Sequence, residues 1–250
     1  TLLSMKFKVR NGGTANNSTF LNKGGIAASI QRLRIFSGSQ LLCDIDNYGN
    51  LVSLLTAWQS SAEHCLGKLA VLQGCGAQKG VQVLPDDVAA NTDGAEFAFC
   101  FPLLSILSLT DNYVPLWAMA GSGSLRVEIQ FVSTMRQMCG SETAIAEPAV
   151  GSTLSDVKLI ANFVELSDQA MSIIESSLEG RPVSWVCQSY TNYVFNTQLA
   201  NATTQISMPI PAKFNSLKAL YITMRRTPQG DNNIYSDDCG KFFLSQYTTR

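Results

Sequence analysis

LSDVKLIANFVELSDQAMSIIESSLEGRP, residues 154–182, changes its period halfway along. Val157, Leu159, Ala161 and Phe163 alternate with Lys158 and Asn162, which is the period of a half-buried strand. On this reading Phe163 faces a core, and Phe163→Asp would cost several kcal/mol by burying an unpaired charge. From Leu166 the period becomes helical: Ser167 and Asp168 offer oxygens to the free amides of a helix start, and Met171, Ile174 and Leu178 recur at helical spacing. Gly180 and Pro182 end that helix. Strand-like sequence resumes beyond Pro182, so a short helix joins two β-rich blocks. The division expected is a first sandwich over residues 1–166, a linking helix and hinge over 167–182, and the opening strands of a second sandwich over 183–250.

Working outward toward the start, residues 1–10 place Leu3, Met5, Phe7 and Val9 on one face against Ser4, Lys6, Lys8 and Arg10, a strand with one wet side. Residues 11–25 are turn chemistry. Residues 30–42 give two β segments broken at Ser37-Gly38-Ser39. Within 44–60, Leu51, Leu54, Leu55 and Trp58 recur at i, i+3, i+4 and i+7, an amphipathic helix that Asn50 could cap. Residues 62–94 are rich in small and turn-forming residues and read as a long excursion. Residues 95–106 are aromatic and continuous, as expected of a strand buried on both faces, with Pro102 ending its pairing. Gly121-Ser122-Gly123-Ser124 is a turn before a strand with Leu125, Val127, Ile129 and Phe131 on one face, and residues 135–153 are loop-like.

Toward the end, residues 183–194, 205–210 and 217–224 are three more runs of aromatic and β-branched residues, expected as strands. Residues 227–240 are polar and turn-rich, and 241–250 stop within what could be another strand. Jelly rolls and related sandwiches use about seven or eight strands, so the second block reads as incomplete.

Of the 250 residues, 46% are hydrophobic and 15% charged, where about 25% charged is usual, so the surface expects to be covered by other subunits. A net charge of −1 with scattered basic residues, apart from pairs such as Arg32/Arg34 and Arg225/Arg226, provides no stripe for a polyanion. No apolar run reaches the ~20 residues that span a bilayer. Seven cysteines, at 43, 65, 75, 100, 139, 187 and 239, have irregular spacing and no C-x-x-C pair, which fits reduced thiols and folding inside a cell. The sequons at Asn16, Asn17 and Asn201 are then chance matches. The chain starts at Thr1 with no secretory signal pattern and reads as a processed or partial piece.

The sequence supplies no catalytic, cofactor-binding or metal-ligating constellation, and the expectation is a protein that is not an enzyme. The one histidine, His64, adjoins Cys65, but sequence neighbours rarely face one another as a nucleophilic pair must. Gly121 and Gly123 lack the third glycine of a dinucleotide loop. Asp44, Asp46, Asp86, Asp87, Asp237 and Asp238 have no calcium-loop spacing. Phe97, Phe99 and Phe101 alternate as a core strand would, rather than as a stacking platform.

Six pieces, taken in order, resemble the double jelly-roll major capsid proteins of double-stranded DNA viruses of the polinton-like virus, adintovirus and virophage type: SIQRLRIFSGSQLLCDIDNYGNLVSLL (29–55), FCFPLLSILS (99–108), VPLWAMAGSGSLRVEIQF (114–131), DVKLIANFVELSDQAM (156–171), SYTNYVF (189–195) and IPAKFNSLKALYITMRR (210–226). Each is a pattern of strands and turns, and the combination carries the likeness. It implies an all-β double jelly-roll, two antiparallel β-sandwiches with short helices in the connections, the first short of its first strand and the second incomplete in this chain. It also implies homotrimers of pseudo-hexagonal outline that tile an icosahedral virion capsid beside penton and minor capsid proteins, without specific nucleic-acid binding. Assembly would occur inside the host cell, with trimer and tower contacts expected in the loops 11–25, 62–94 and 137–153. The runner-up class is a β-sandwich binding module, a receptor- or carbohydrate-binding spike or lectin-like protein, and the third is a sandwich-fold enzyme.

Overall fold

The strand at the start of the chain behaves as its alternation demands. β1 (Leu2–Arg10) buries Leu3, Met5 and Phe7 while Ser4, Lys6 and Lys8 turn the other way. In the computed structural model, which describes residues 1–10, 19–21, 24–78, 81–83, 93–110, 113–119, 124–133, 139–141, 153–195, 207–211 and 216–222, β1 is the middle of an antiparallel three-stranded sheet. Its neighbours are β7 (Asp93–Pro102) and β10 (Thr153–Ile160). Leu3, Met5 and Phe7 lie opposite Phe101, Phe99 and Phe97, so three phenylalanines line the inner face. β7 is therefore not buried on both faces. Its other side, with Glu96 and Ala98 exposed and Cys100 half-buried, is wet, and the small Ala98 and Cys100 gave that side its apolar look. Pro102 closes the pairing as expected, after which Leu103 and Ile106 turn into the core.

Residues 30–46 form a hairpin, β3 (Ile30–Ser37) and β4 (Gln40–Asp46), turning at Gly38 with a φ of 59° that glycine adopts without strain. With β8 (Leu125–Phe131) it makes a second antiparallel sheet, ordered β4-β3-β8. Ile30, Leu33, Ile35, Cys43 and Ile45 are buried, and Val127, Ile129 and Phe131 pack beside them. Ile30 and Leu33 differ in parity, and the register of β3 against β8 slips between Ile30 and Arg32, a bulge that lets both face inward. The two sheets share one hydrophobic core, and the Ser29 hydroxyl donates to the Met5 thioether within it. A sheet-rich fold with two antiparallel three-stranded sheets and few, short helices has the outline of a β-sandwich.

α1 (Tyr48–Gln59) starts two residues before Asn50. Asn47 holds the entry at a φ of 51°, its side chain accepting from Gln31 Nε2 at 3.0 Å, so Asn50 is not the cap. Leu54 and Leu55 are buried, but Trp58 is 62% exposed. The helix lies on a short 3₁₀ turn, Gly25–Ser29, so closely that a Cβ on Gly49 would meet the Ala28 Cα at 2.7 Å.

The excursion expected over 62–94 is partly regular. α2 (Ala62–His64), a π turn (Cys65–Leu69) and α3 (Ala70–Gln73) run on to Gly74, and buried Gln73 donates to the Gly24 carbonyl at 2.9 Å. β5 (Cys75–Gln78) and β6 (Val81–Val83) follow. With β2 (Thr19–Leu21) and β9 (Cys139–Ser141) they form a small sheet ordered β5-β6-β2-β9. A further helix, α4, spans Leu116–Met119. Residues 11–18, 84–92, 121–123 and 142–152, with much of the expected loops and the glycine turn, lie outside the described residues, as do the three sequons, Asp86, Asp87, Asp237, Asp238 and the whole of 223–250.

The stretch at 154–182 keeps its change of period but not its burial. Leu159 lies opposite Leu3 and Leu154 opposite Phe7, with a register slip between them where Asp156 takes a φ of 52°. The strand ends at Ile160, so Phe163 stands past it and is 74% exposed, not a core residue. α5 (Asp168–Leu178) begins where expected: the Ser167 hydroxyl accepts from the Ala170 amide at 3.4 Å. Its exit passes through Glu179 at φ 45° and Gly180 at φ 76°. Beyond it the expected strands are not found among the described residues of 183–195, 207–211 and 216–222, which pair with no ladder. Alternation alone satisfies no backbone groups, and a strand exists only where a partner strand receives them.

Candidate assembly surface

Three separate excursions from the sandwich converge. β2 comes from the loop at 11–25, β5 and β6 from 62–94, and β9 from 137–153, and hydrogen bonding joins all four strands into one small sheet. Spacing gave no sign of this, because strands of three or four residues carry too few alternations to read. The helical segment ending at Gly74 supports it from beside Gly24 and Gly25.

A second feature is the amount of apolar surface left uncovered from β10 onward. Val157, Leu159 and Ile160 on β10, Phe163, Val164 and Leu166 after it, and Ile173 on α5 are all exposed. So are Val186 at 81% and Leu217 at 70%, with Val194, Leu220 and Ile222 close to them in exposure. No side chain from Ser155 to Phe195 is buried. Isolated exposed aliphatics are ordinary, whereas this many within one stretch is more than single scattered side chains.

Within this run, residues 185–190 are held against the first block. Trp185, Cys187 and Tyr190 pack on its core. The Gln188 amide donates to the Leu109 carbonyl at 3.1 Å, and Trp185 Nε1 donates to Thr110 Oγ1 at 2.9 Å. Cys43 Sγ and Ser189 Oγ are 3.3 Å apart. Burial pushes the Cys43 and Cys187 thiols up, so both stay protonated at neutral pH. Trp58 meets Tyr221 edge-on with ring centroids 6.0 Å apart. The sequence signalled residues 185–190 only as a strand, and it gave no sign that they would dock without a ladder.

The residues weighed for chemistry are dispersed. His64 and Cys65 follow one another on a helical surface, with the His64 amide on Ser61 Oγ at 3.2 Å and the ring exposed. Asp44 is paired with Arg32 by two bonds of 2.8 and 2.6 Å, which hold its carboxyl below the usual aspartate range. Phe97, Phe99 and Phe101 line the inner face of the sandwich. Among the described residues no group of three or more His, Cys, Asp or Glu side chains could hold a metal ion, Cys43, Cys65, Cys100 and Cys187 are free thiols, and no helix is long and apolar enough to cross a membrane. The chain matches no protein-family model, no curated protein and no solved structure.

Proposed function

We propose that this protein is a structural subunit that works by self-association: a major capsid protein of the double jelly-roll type, forming trimers that tile a viral shell. The observation that carries the reading is the set of apolar side chains, among the described residues from β10 to Ile222, that stay exposed beside a shared sandwich core, with Phe163, Val186, Leu217 and Ile222 the most exposed. Burying such surface at ~25 cal/mol per Å² over several subunit contacts is what holds shells together. The order of the six sequence pieces supports the family, and the gathering of three loops into one small sheet supports a projecting contact region beside the sandwich.

Electron microscopy and size-exclusion chromatography of the protein expressed in cells test it. Trimers, or shells with a regular lattice, are the expected outcome. A stable monomer that binds a glycan would instead establish the binding-module alternative.

A further inference from the structure

Residues 185–190 are tied to the first block, yet the chain that delivers them is not. From Ala161 to Ser184 no side chain is fully buried, only Ala170, Met171, Ile174 and Leu178 of α5 being half-buried, and the stretch includes the whole of α5, about 16 Å of helix at 1.5 Å per residue. Two consecutive residues with positive φ, Glu179 and Gly180, followed by Pro182, give it a defined corner just before the docked part. The docked part is small. Its contacts include a backbone hydrogen bond from Gln188 to Leu109, bonds of Thr110 with Trp185 and Val186, and the approach of Ser189 to Cys43, beside three half-buried side chains.

We propose that residues 185–190 are an exchangeable strap, which seats against Cys43 and residues 109–110 of a second copy through the same contacts that it makes with its own. The occupant is chemically matched because it is the same segment that the structure shows in place. A linker with no fully buried side chain and a corner at its end is the arrangement in which identical elements swap between protomers at low cost. Within one chain the linker gives the strap a high effective concentration, so exchange becomes competitive only when copies are crowded, as in an assembling shell. The inference deepens the self-association reading and rests on it.

Ser189→Cys tests the strap directly. Ser189 is exposed and its oxygen lies 3.3 Å from Cys43 Sγ, within the reach of a disulfide once both positions carry thiols. Light and heavy-isotope chains of the variant are mixed at rising concentration and oxidised with glutathione disulfide, each protein disulfide releasing two glutathione thiols. Exchange predicts Cys43 peptides of one isotope joined to the position-189 peptides of the other, with covalent dimers whose share rises with concentration. Bonds from Cys43 to position 189 confined to single chains at every concentration, or no such bond at all, would overturn it. Shells without exchanged straps would remove this inference alone, and exchanged straps without shells would remove the capsid reading alone.

Discussion

Tyr48 is fully buried, and its phenol oxygen accepts from the Leu104 amide at 2.7 Å. Burial raises the phenol far above its ordinary value, so it stays protonated. Tyr48→Phe removes the acceptor of a half-buried N–H, and a loss of about 0.5–1.5 kcal/mol follows, read as a lower denaturant midpoint at unchanged slope. An unchanged midpoint would show that the bond contributes nothing. Arg32 and Asp44 are a diagonal cross-strand pair on the outer face of the hairpin, each still partly in water, so the pair contributes about 0.2–1 kcal/mol. The Arg32 hydrogen bond depresses the Asp44 carboxyl in the folded state. The stabilisation it brings is therefore present at neutral pH, above the ordinary aspartate value, and is lost as pH falls through the depressed one. Denaturation of wild type and Asp44→Asn from neutral to acid pH should show their difference shrinking toward zero at the acid end; a constant difference would contradict the assignment.

At the scale of elements, glycine and bulge positions explain why packing is tight where it is. Gly49 sits against the Ala28 backbone, so Gly49→Ala must push α1 off the 3₁₀ turn and costs about 1–3 kcal/mol despite the better helix propensity of alanine. Thermal unfolding checks the sign: stabilisation would mean the helix is not seated there. The strands of the first block were legible because β1 and β3 each bury one face and β8 lays Val127, Ile129 and Phe131 half-buried beside them, and burial writes a period of two into side-chain choice. Ser167 was legible as a cap because its hydroxyl answers a purely local need. The end of β10 was not. Phe163 continues the alternation of Val157 and Leu159, yet the ladder to β1 stops at Ile160, because alternation records which face is apolar and not whether a neighbour is there to pair. The same holds for residues 183–194, whose Trp185 and Cys187 alternate inward without any strand beside them. Bulges such as the one at Asp156 shift parity by one residue, and nothing in a run of side chains announces that.

For the whole molecule, the contrast is between a first block that buries a core and a following stretch, most of whose described apolar side chains stay exposed. Trp185 ties the two together through the core and Thr110. Two kinds of apolar residue are thereby separated. Met5→Ala, in the closed core, should cost about 2–5 kcal/mol of stability in any oligomeric state. Phe163→Asp should leave the unfolding midpoint of the isolated subunit within about 0.5 kcal/mol of wild type, because the side chain is exposed there. Self-association through this surface is tested most directly by sedimentation velocity of wild type and the combined Phe163→Asp/Val186→Asp/Leu217→Asp variant, each checked for cooperative unfolding. Trimers and larger particles are expected for wild type and a folded monomer for the variant. A wild-type protein that sediments as a monomer at every concentration, or a variant that assembles as wild type does, would contradict self-association through this surface.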